Sequence, residues 1–149
     1  MKLELQNKVI LLTGATGGIG KQVVLDFIKE DAIVVCLIRN QKKMEEMLAW
    51  LKEQGVSVVN VHSFVCNLLE FETIKETIQL IVNDFRRIDV LVNCAGFAYE
   101  YPFAMLNDRQ IDEMIDLNFK SPLYLMHSVL RPMPVSYTHL RAHETLQHL

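Results

Sequence analysis

Four short apolar runs punctuate this chain, and each is followed by a stretch whose apolar residues recur at helical spacing. Residues 8–12 (KVILL) form the first run, bounded by Thr13 and Gly14. Ile19, Val23, Val24, Phe27 and Ile28 then line one helical face. Residues 32–38 (AIVVCLI) form the second run, followed by Met44, Met47, Leu48 and Leu51 up to a stop near Gly55. Residues 56–65 (VSVVNVHSFV) are rich in β-branched side chains and predict a third strand. Phe71, Ile74, Ile78, Ile81, Val82 and Phe85 form the clearest helical stripe of the chain. Residues 88–92 (IDVLV) predict a fourth strand. Asn107 and Gln110 are spaced as a capping box for a last helix through Ile111, Met114, Ile115 and Leu125, with a bend expected at Pro122.

Strands that are apolar on both faces and separated by helices imply a parallel sheet covered on both sides. Right-handed crossovers then give an α/β fold, a Rossmann-like doubly wound sheet with strand order 3-2-1-4. Such a fold normally continues with a second half beyond the fourth strand. The segment after Met133 is too short for one further strand–helix unit. We therefore expect an incomplete version: four βα units, with residues 1–133 as the N-terminal part of a dinucleotide-binding domain and the fourth strand left as an apolar edge.

The turn between the first strand and the first helix reads Thr13-Gly14-Ala15-Thr16-Gly17-Gly18-Ile19-Gly20. Residues without a Cβ allow a sharp turn, close approach of a diphosphate to the backbone, and tight helix–strand packing. The helix N-terminus then offers free N–H groups and partial positive charge to phosphates. A glycine-rich structural turn is the competing reading. The strand–turn–helix context favours nucleotide binding by Gly14, Thr16, Gly17, Gly18, Ile19 and Gly20.

The glycine spacing, Gly14-x-x-x-Gly18-x-Gly20, resembles the cofactor loop of the short-chain dehydrogenases/reductases. Asn93-Cys94-Ala95-Gly96 resembles that family's NNAG motif, with Cys in the second position. Asn118, within Asp-Leu-Asn-Phe-Lys-Ser-Pro, resembles the asparagine of its Asn-Ser-Tyr-Lys catalytic set. The resemblance covers residues 5 to about 133. It implies cofactor contacts at Asn93, Ala95 and Gly96, and at Asn67 and Leu68, where the family often has Asp in place of Asn67. It also implies that the side chain and carbonyl of Asn118 hold a water that links a catalytic lysine to solvent. A local cap near Pro122 is the competing role for Asn118.

Cofactor choice is read at the end of the second strand, Leu37-Ile38-Arg39-Asn40. A carboxylate there accepts from the ribose 2′-OH of NAD, whereas an arginine accommodates the 2′-phosphate of NADP. With Arg39 and Asn40 and no carboxylate, NADP(H) is favoured over NAD(H). A merely solvated Arg39 is the alternative.

Ser136-Tyr137-Thr138-His139-Leu140-Arg141 has a tyrosine and a basic residue four places on, the spacing of the family's proton-transfer pair. It lacks the upstream strand that carries the family's serine, and arginine is a poor substitute for lysine. We expect Tyr137 not to be catalytic. His139 and His143 are one helical turn apart, but Glu144 is misplaced for a zinc site and no third ligand is evident, so no metal is expected. Residues 134–149 resemble adaptor or vector read-through and are expected to be a non-native tail, unstructured or weakly helical.

A net charge of -3 makes no electrostatic case for nucleic acid or an anionic membrane. No apolar run reaches the ~20 residues needed to span a bilayer, and the N-terminus does not have the form of a signal peptide. Cys36, Cys66 and Cys94 lie in or beside strand-like runs, and read as reduced, buried thiols of a cytoplasmic protein. The expectation is thus an N-terminal fragment of a short-chain NAD(P)-dependent oxidoreductase. The parent would be a homo-oligomer that moves hydride between NADP(H) and a ketone or secondary alcohol, including a small molecule or a 3-oxoacyl thioester. This chain, without the catalytic Ser, Tyr and Lys, would bind at most the cofactor. A non-catalytic nucleotide-binding or sensing module is the alternative.

Overall fold

The computed structural model describes residues 4–133, so the tail with Ser136, Tyr137, His139, Arg141 and His143 lies outside the described residues. Strands β1 (Val9–Thr13), β2 (Ile33–Ile38), β3 (Val61–Val65) and β4 (Val90–Asn93) form one sheet in the order β3-β2-β1-β4. All three pairings are parallel, with Leu11 level with both Val35 and Leu91. Helices α1 (Gly18–Lys29), α2 (Gln41–Glu53) and α3 (Phe71–Phe85) make the crossovers. The last helical stretch comprises α4 (Asp108–Ile115), a π-turn (Asp116–Lys120) and α5 (Ser121–Val129). The doubly wound α/β fold and its strand order are as expected from the sequence.

Alternation along each strand builds two core layers, one on each face of the sheet. Leu12, Val34, Cys36 and Ile38 pack with Val24 and Leu25 of α1 and with Met44, Met47 and Leu51 of α2. Val9, Leu11, Val35 and Leu37 pack with Ile74, Ile78 and Ile81 of α3 and with Leu125 and Val129 of α5. The stripe read on α3 is therefore its buried face. Shortening any of its three isoleucines to Ala costs about 2–5 kcal/mol.

Two boundaries differ from the expectation. The third strand begins at Val61, not Val56. Ser57 Oγ accepts from the Val59 amide at 3.3 Å, and the Val61 amide donates to the Val58 carbonyl at 3.0 Å. These local bonds close a turn and take residues 57–59 out of the ladder, despite their β-branched composition. The irregularity of the last helix falls at Asp116–Lys120, just ahead of Pro122, where the helix widens into a π-turn. Pro122 has no N–H for the Asn118 carbonyl, so an unbroken α-helical ladder is unattainable there. The capping box is formed as read: Asn107 Oδ1 accepts from the Gln110 amide, and Gln110 Oε1 from the Asn107 amide.

A charged anchor sits at the amino ends of β1 and β4. Asp89 is 4% exposed and accepts from the Val9 amide at 2.9 Å. Its own amide donates to the Val9 carbonyl at 2.8 Å. Arg87 Nε donates to both carboxylate oxygens at 2.9 Å, and its Nη2 also donates to Oδ1. Asp89 thus joins the starts of β1 and β4, 80 residues apart. Asp89→Ala should lose about 2–4 kcal/mol in urea denaturation, because the buried Val9 amide loses its side-chain acceptor and the ion pair with Arg87 is broken.

His62, on β3, meets the Phe85 ring edge-on with centroids 4.9 Å apart, and burial holds its imidazole below the ordinary histidine range. The folded chain then binds fewer protons than the unfolded chain around the ordinary histidine pKa. Stability attributable to this site is full above about pH 6.5 and declines as pH falls below it. The thermal midpoint should drop between pH 7 and 5, and His62→Phe should flatten that drop.

Candidate functional site

The chain leaves β1 towards β2 on one side and enters β4 on the other, so the topological switch lies between β1 and β4. In open α/β sheets ligands bind at this point, beyond the carboxyl ends of the strands. The glycine turn and the Asn93-to-Gly96 segment meet here.

Gly14 has φ +69°, in the left-handed region, and a Cβ there would lie 2.6 Å from the Ala95 nitrogen. A Cβ on Gly20 would lie 1.9 Å from the Gly14 carbonyl oxygen. These two glycines are packing requirements: one seats the turn against the chain after β4, and the other seats α1 against the turn. Gly18 is different, because a Cβ there would meet nothing within 4 Å. It borders open space at the first residue of α1. The N-cap, Gly17, offers no side-chain hydrogen bond, and the first turn carries no acidic residue. The N-terminal N–H groups and the positive end of the helix dipole are therefore neutralised by no side chain of this turn, which is the arrangement that accepts a phosphate. Thr16 is half-buried, and Ile19 is 78% exposed beside this opening.

The far wall is held by two side chains. Thr13, buried at the end of β1, accepts from the Ala95 amide at 3.1 Å. Asn118 clasps the backbone of Phe97: Oδ1 accepts from its amide at 2.9 Å and Nδ2 donates to its carbonyl at 2.7 Å. Gly96 permits this, since a Cβ there would come within 2.9 Å of Asn118 Oδ1. Asn118 thus lies beside the Asn-Cys-Ala-Gly segment, with its side-chain amide committed to Phe97. Asn93 ends β4 and is exposed.

The other expected contacts sit at the ends of β2 and β3. Arg39 is exposed and makes no hydrogen bond or ion pair among the described residues. Asn40 caps α2, accepting from the Lys43 amide at 3.2 Å. Asn67 makes its own turn: Oδ1 accepts from the Leu69 amide at 3.1 Å and Nδ2 donates to Glu70 at 3.0 Å. Leu68 packs against the α3 core, and its carbonyl accepts from the Ser121 hydroxyl at 2.5 Å. Asn40 and Asn67 therefore have structural duties whatever else they contact. Lys42 and Lys43 are exposed on the first turn of α2, which follows Arg39 and Asn40 in the chain.

Burial pushes the Cys36 thiol up to about 12, so it is an inert core side chain. Cys66 is also buried, but Cys94 is only half-buried, because it sits in the loop after β4 and not within a strand. Among the described residues no group of three or more His, Cys, Asp or Glu is placed to hold a metal, and no helix is long and apolar enough to cross a membrane. A cleft of about 510 Å³ opens between α3 and α5, lined by Lys75, Gln79, His127 and Arg131 among others. It lies away from the glycine turn, and its exposed side chains have none of the convergent geometry of the β1–β4 crevice.

A family described as short chain dehydrogenase matches residues 8–138. The 3-oxoacyl-acyl-carrier-protein reductase FabG of Haemophilus influenzae is 30% identical over 129 residues, which is 87% of this chain and 51% of that protein. A crystal structure of NAD+-bound xylitol dehydrogenase superposes with a TM-score of 0.76 at 27% identity, covering 87% of this chain and 49% of that one. A metagenomic short-chain oxidoreductase in complex with NADP gives 0.77 at 25% identity, with coverages of 87% and 58%. The chain spans about half the length of the curated relatives it matches.

The glycine contacts separate packing from ligand access. Gly20→Ala should destabilise the chain by more than about 3 kcal/mol, as overpacking against backbone cannot relax cheaply. Gly18→Ala should change stability by less than about 1 kcal/mol. Thermal and urea melts of the two variants check this.

Proposed function

The chain belongs to the short-chain dehydrogenase family, and from that premise we propose that it supplies the dinucleotide-binding half of an oxidoreductase acting on a ketone or secondary alcohol with NADP(H). One observation carries the reading: an uncapped helix N-terminus opens onto free space at Gly18, at the switch point between β1 and β4. The bound dinucleotide supplies a transferable hydride at its nicotinamide. The α1 N–H groups hold its diphosphate, with Thr16, Gly17, Gly18 and Ile19 around it. Arg39 with Lys42 and Lys43 faces the ribose 2′-phosphate, and no carboxylate stands at the end of β2 to repel it. NAD(H) is the alternative cofactor, and family structures with NAD+ and with NADP both superpose on this chain. Asn67, Leu68, Asn93, Ala95 and Gly96 complete the walls along the adenine and nicotinamide portions.

Asn118 is the one member of the family's catalytic set within the described residues. Its clasp on Phe97 sets the position of the segment that would flank the nicotinamide. Proton transfer and substrate orientation belong to other parts of the whole protein. For that protein we propose a 3-oxoacyl thioester as the substrate class, in keeping with the reductases it resembles. Exposed Ile115, Phe119, Leu123, Met126 and Leu130 recur three or four apart along the α4–α5 stretch, which supports burial of that face against further protein, such as a second subunit of a cytoplasmic homo-oligomer.

Titrating the chain with NADPH and NADH tests the cofactor reading. Wild type should bind NADPH more tightly. Arg39→Ala should weaken NADPH roughly ten- to hundredfold, as expected for loss of a charge-assisted phosphate contact, and leave NADH within about twofold. Equal weakening of both cofactors would remove Arg39 from the 2′-phosphate site.

A further inference from the structure

The segment between β4 and α4 is tied down at one more place, which no sequence motif marks. Tyr99 donates its phenol O–H to Glu113 Oε2 at 2.6 Å, and Arg109, one turn earlier on α4, donates from Nε to Glu113 Oε1 at 3.0 Å. The bond to the carboxylate pushes the Tyr99 phenol up, while the phenol and then Arg109 hold the Glu113 carboxyl down. Tyr99 is also the middle ring of a ladder: Phe97 meets it edge-on at 5.2 Å, and Tyr101 stacks on it at 6.3 Å.

Phe97 is the residue that Asn118 clasps by both backbone groups. Two rungs therefore join the same two segments, Phe97 to Asn118 and Tyr99 to Glu113. In an uninterrupted α-helix Glu113 and Asn118 would point about 140° apart around the axis. The π-turn at Asp116–Lys120 turns through fewer degrees per residue and swings Asn118 back towards the Glu113 face. The widened turn thus lets one helix hold both rungs.

We propose that Tyr99 and Glu113 are positioning residues for the dinucleotide crevice: their clasp holds Phe97 where Asn118 grips it, and through Phe97 sets Gly96 and Ala95. The proposal rests on the reading of that crevice as a dinucleotide site. The Tyr99–Glu113 bond is charge-assisted, and such bonds are the stronger class. Its release leaves the Asn118 clasp as the tie on the α4 side and Thr13 as the tie on the β1 side.

The test uses the full 149-residue chain as wild type, Tyr99→Phe, Glu113→Ala and Glu113→Gln. Hydrogen exchange at the Phe97 amide is measured without cofactor, and NADPH is titrated separately. Tyr99→Phe and Glu113→Ala should speed exchange at Phe97 roughly tenfold and raise the NADPH Kd roughly three- to tenfold. Glu113→Gln retains an oxygen that accepts the phenol O–H without the charge, and should restore part of both. Tyr99→Phe keeps the ring ladder, so its melting midpoint reports whether the effect is local. Exchange at Phe97 unchanged in both Tyr99→Phe and Glu113→Ala overturns the proposal, as does a Gln variant no better than Ala. Absence of NADPH binding by wild type would instead sink the dinucleotide reading, and the exchange result would still decide the clasp.

Discussion

The carboxyl-end crevice depends on two places where backbone meets backbone with no room for a methyl group. Gly20 stands against the Gly14 carbonyl, and Gly14 stands against the peptide joining Cys94 to Ala95. The first contact aims α1 along the turn, and the second brings the chain after β4 up to the same turn. Were either glycine to carry a side chain, the helix N-terminus and the β4 loop would separate and the crevice between them would open. Steric exclusion at these points is steep, whereas the hydrogen bonds around them contribute about 1 kcal/mol each.

Around that pair the site is assembled by side chains that hold backbone. Thr13 fixes Ala95, Asn118 fixes Phe97, and Asn40 and Asn67 each fix a turn at the end of a neighbouring strand. A polar side chain that satisfies a loop amide rigidifies the loop without covering it, and leaves the open face to a ligand. Gly18 and Arg39 are the counterpoint. A Cβ on Gly18 would meet nothing within 4 Å, and Arg39 makes no hydrogen bond or ion pair among the described residues.

The two sides of the sheet carry different burdens. The layer with α1 and α2 has its long side chains buried in one cluster. The α4–α5 stretch on the opposite side buries Leu125 and Val129 but leaves a row of large apolar residues in water. A helical stretch with apolar residues both buried on one side and exposed on another is fitted to contact protein on more than one side.

Much of this was legible in the residues themselves. Strand and helix alternation follows from apolar periodicity, which is a local property, and strand order follows from the handedness of crossovers. The glycine turn and the Asn107–Gln110 box were readable because their partners lie within a few residues. The start of β3 was misjudged because β-branched composition reports strand preference and is silent on a serine that captures a nearby amide. The joining of Asp89 to Val9, the double bond of Asn118 to Phe97, and the Tyr99–Glu113 clasp span 80, 21 and 14 residues. No local pattern encodes them, since each exists only after the sheet has brought the two segments together. The residues alone determined which elements form and in what order they stack; the tertiary structure alone decided which side chains hold the crevice in shape, because those contacts depend on distance in space and not along the chain.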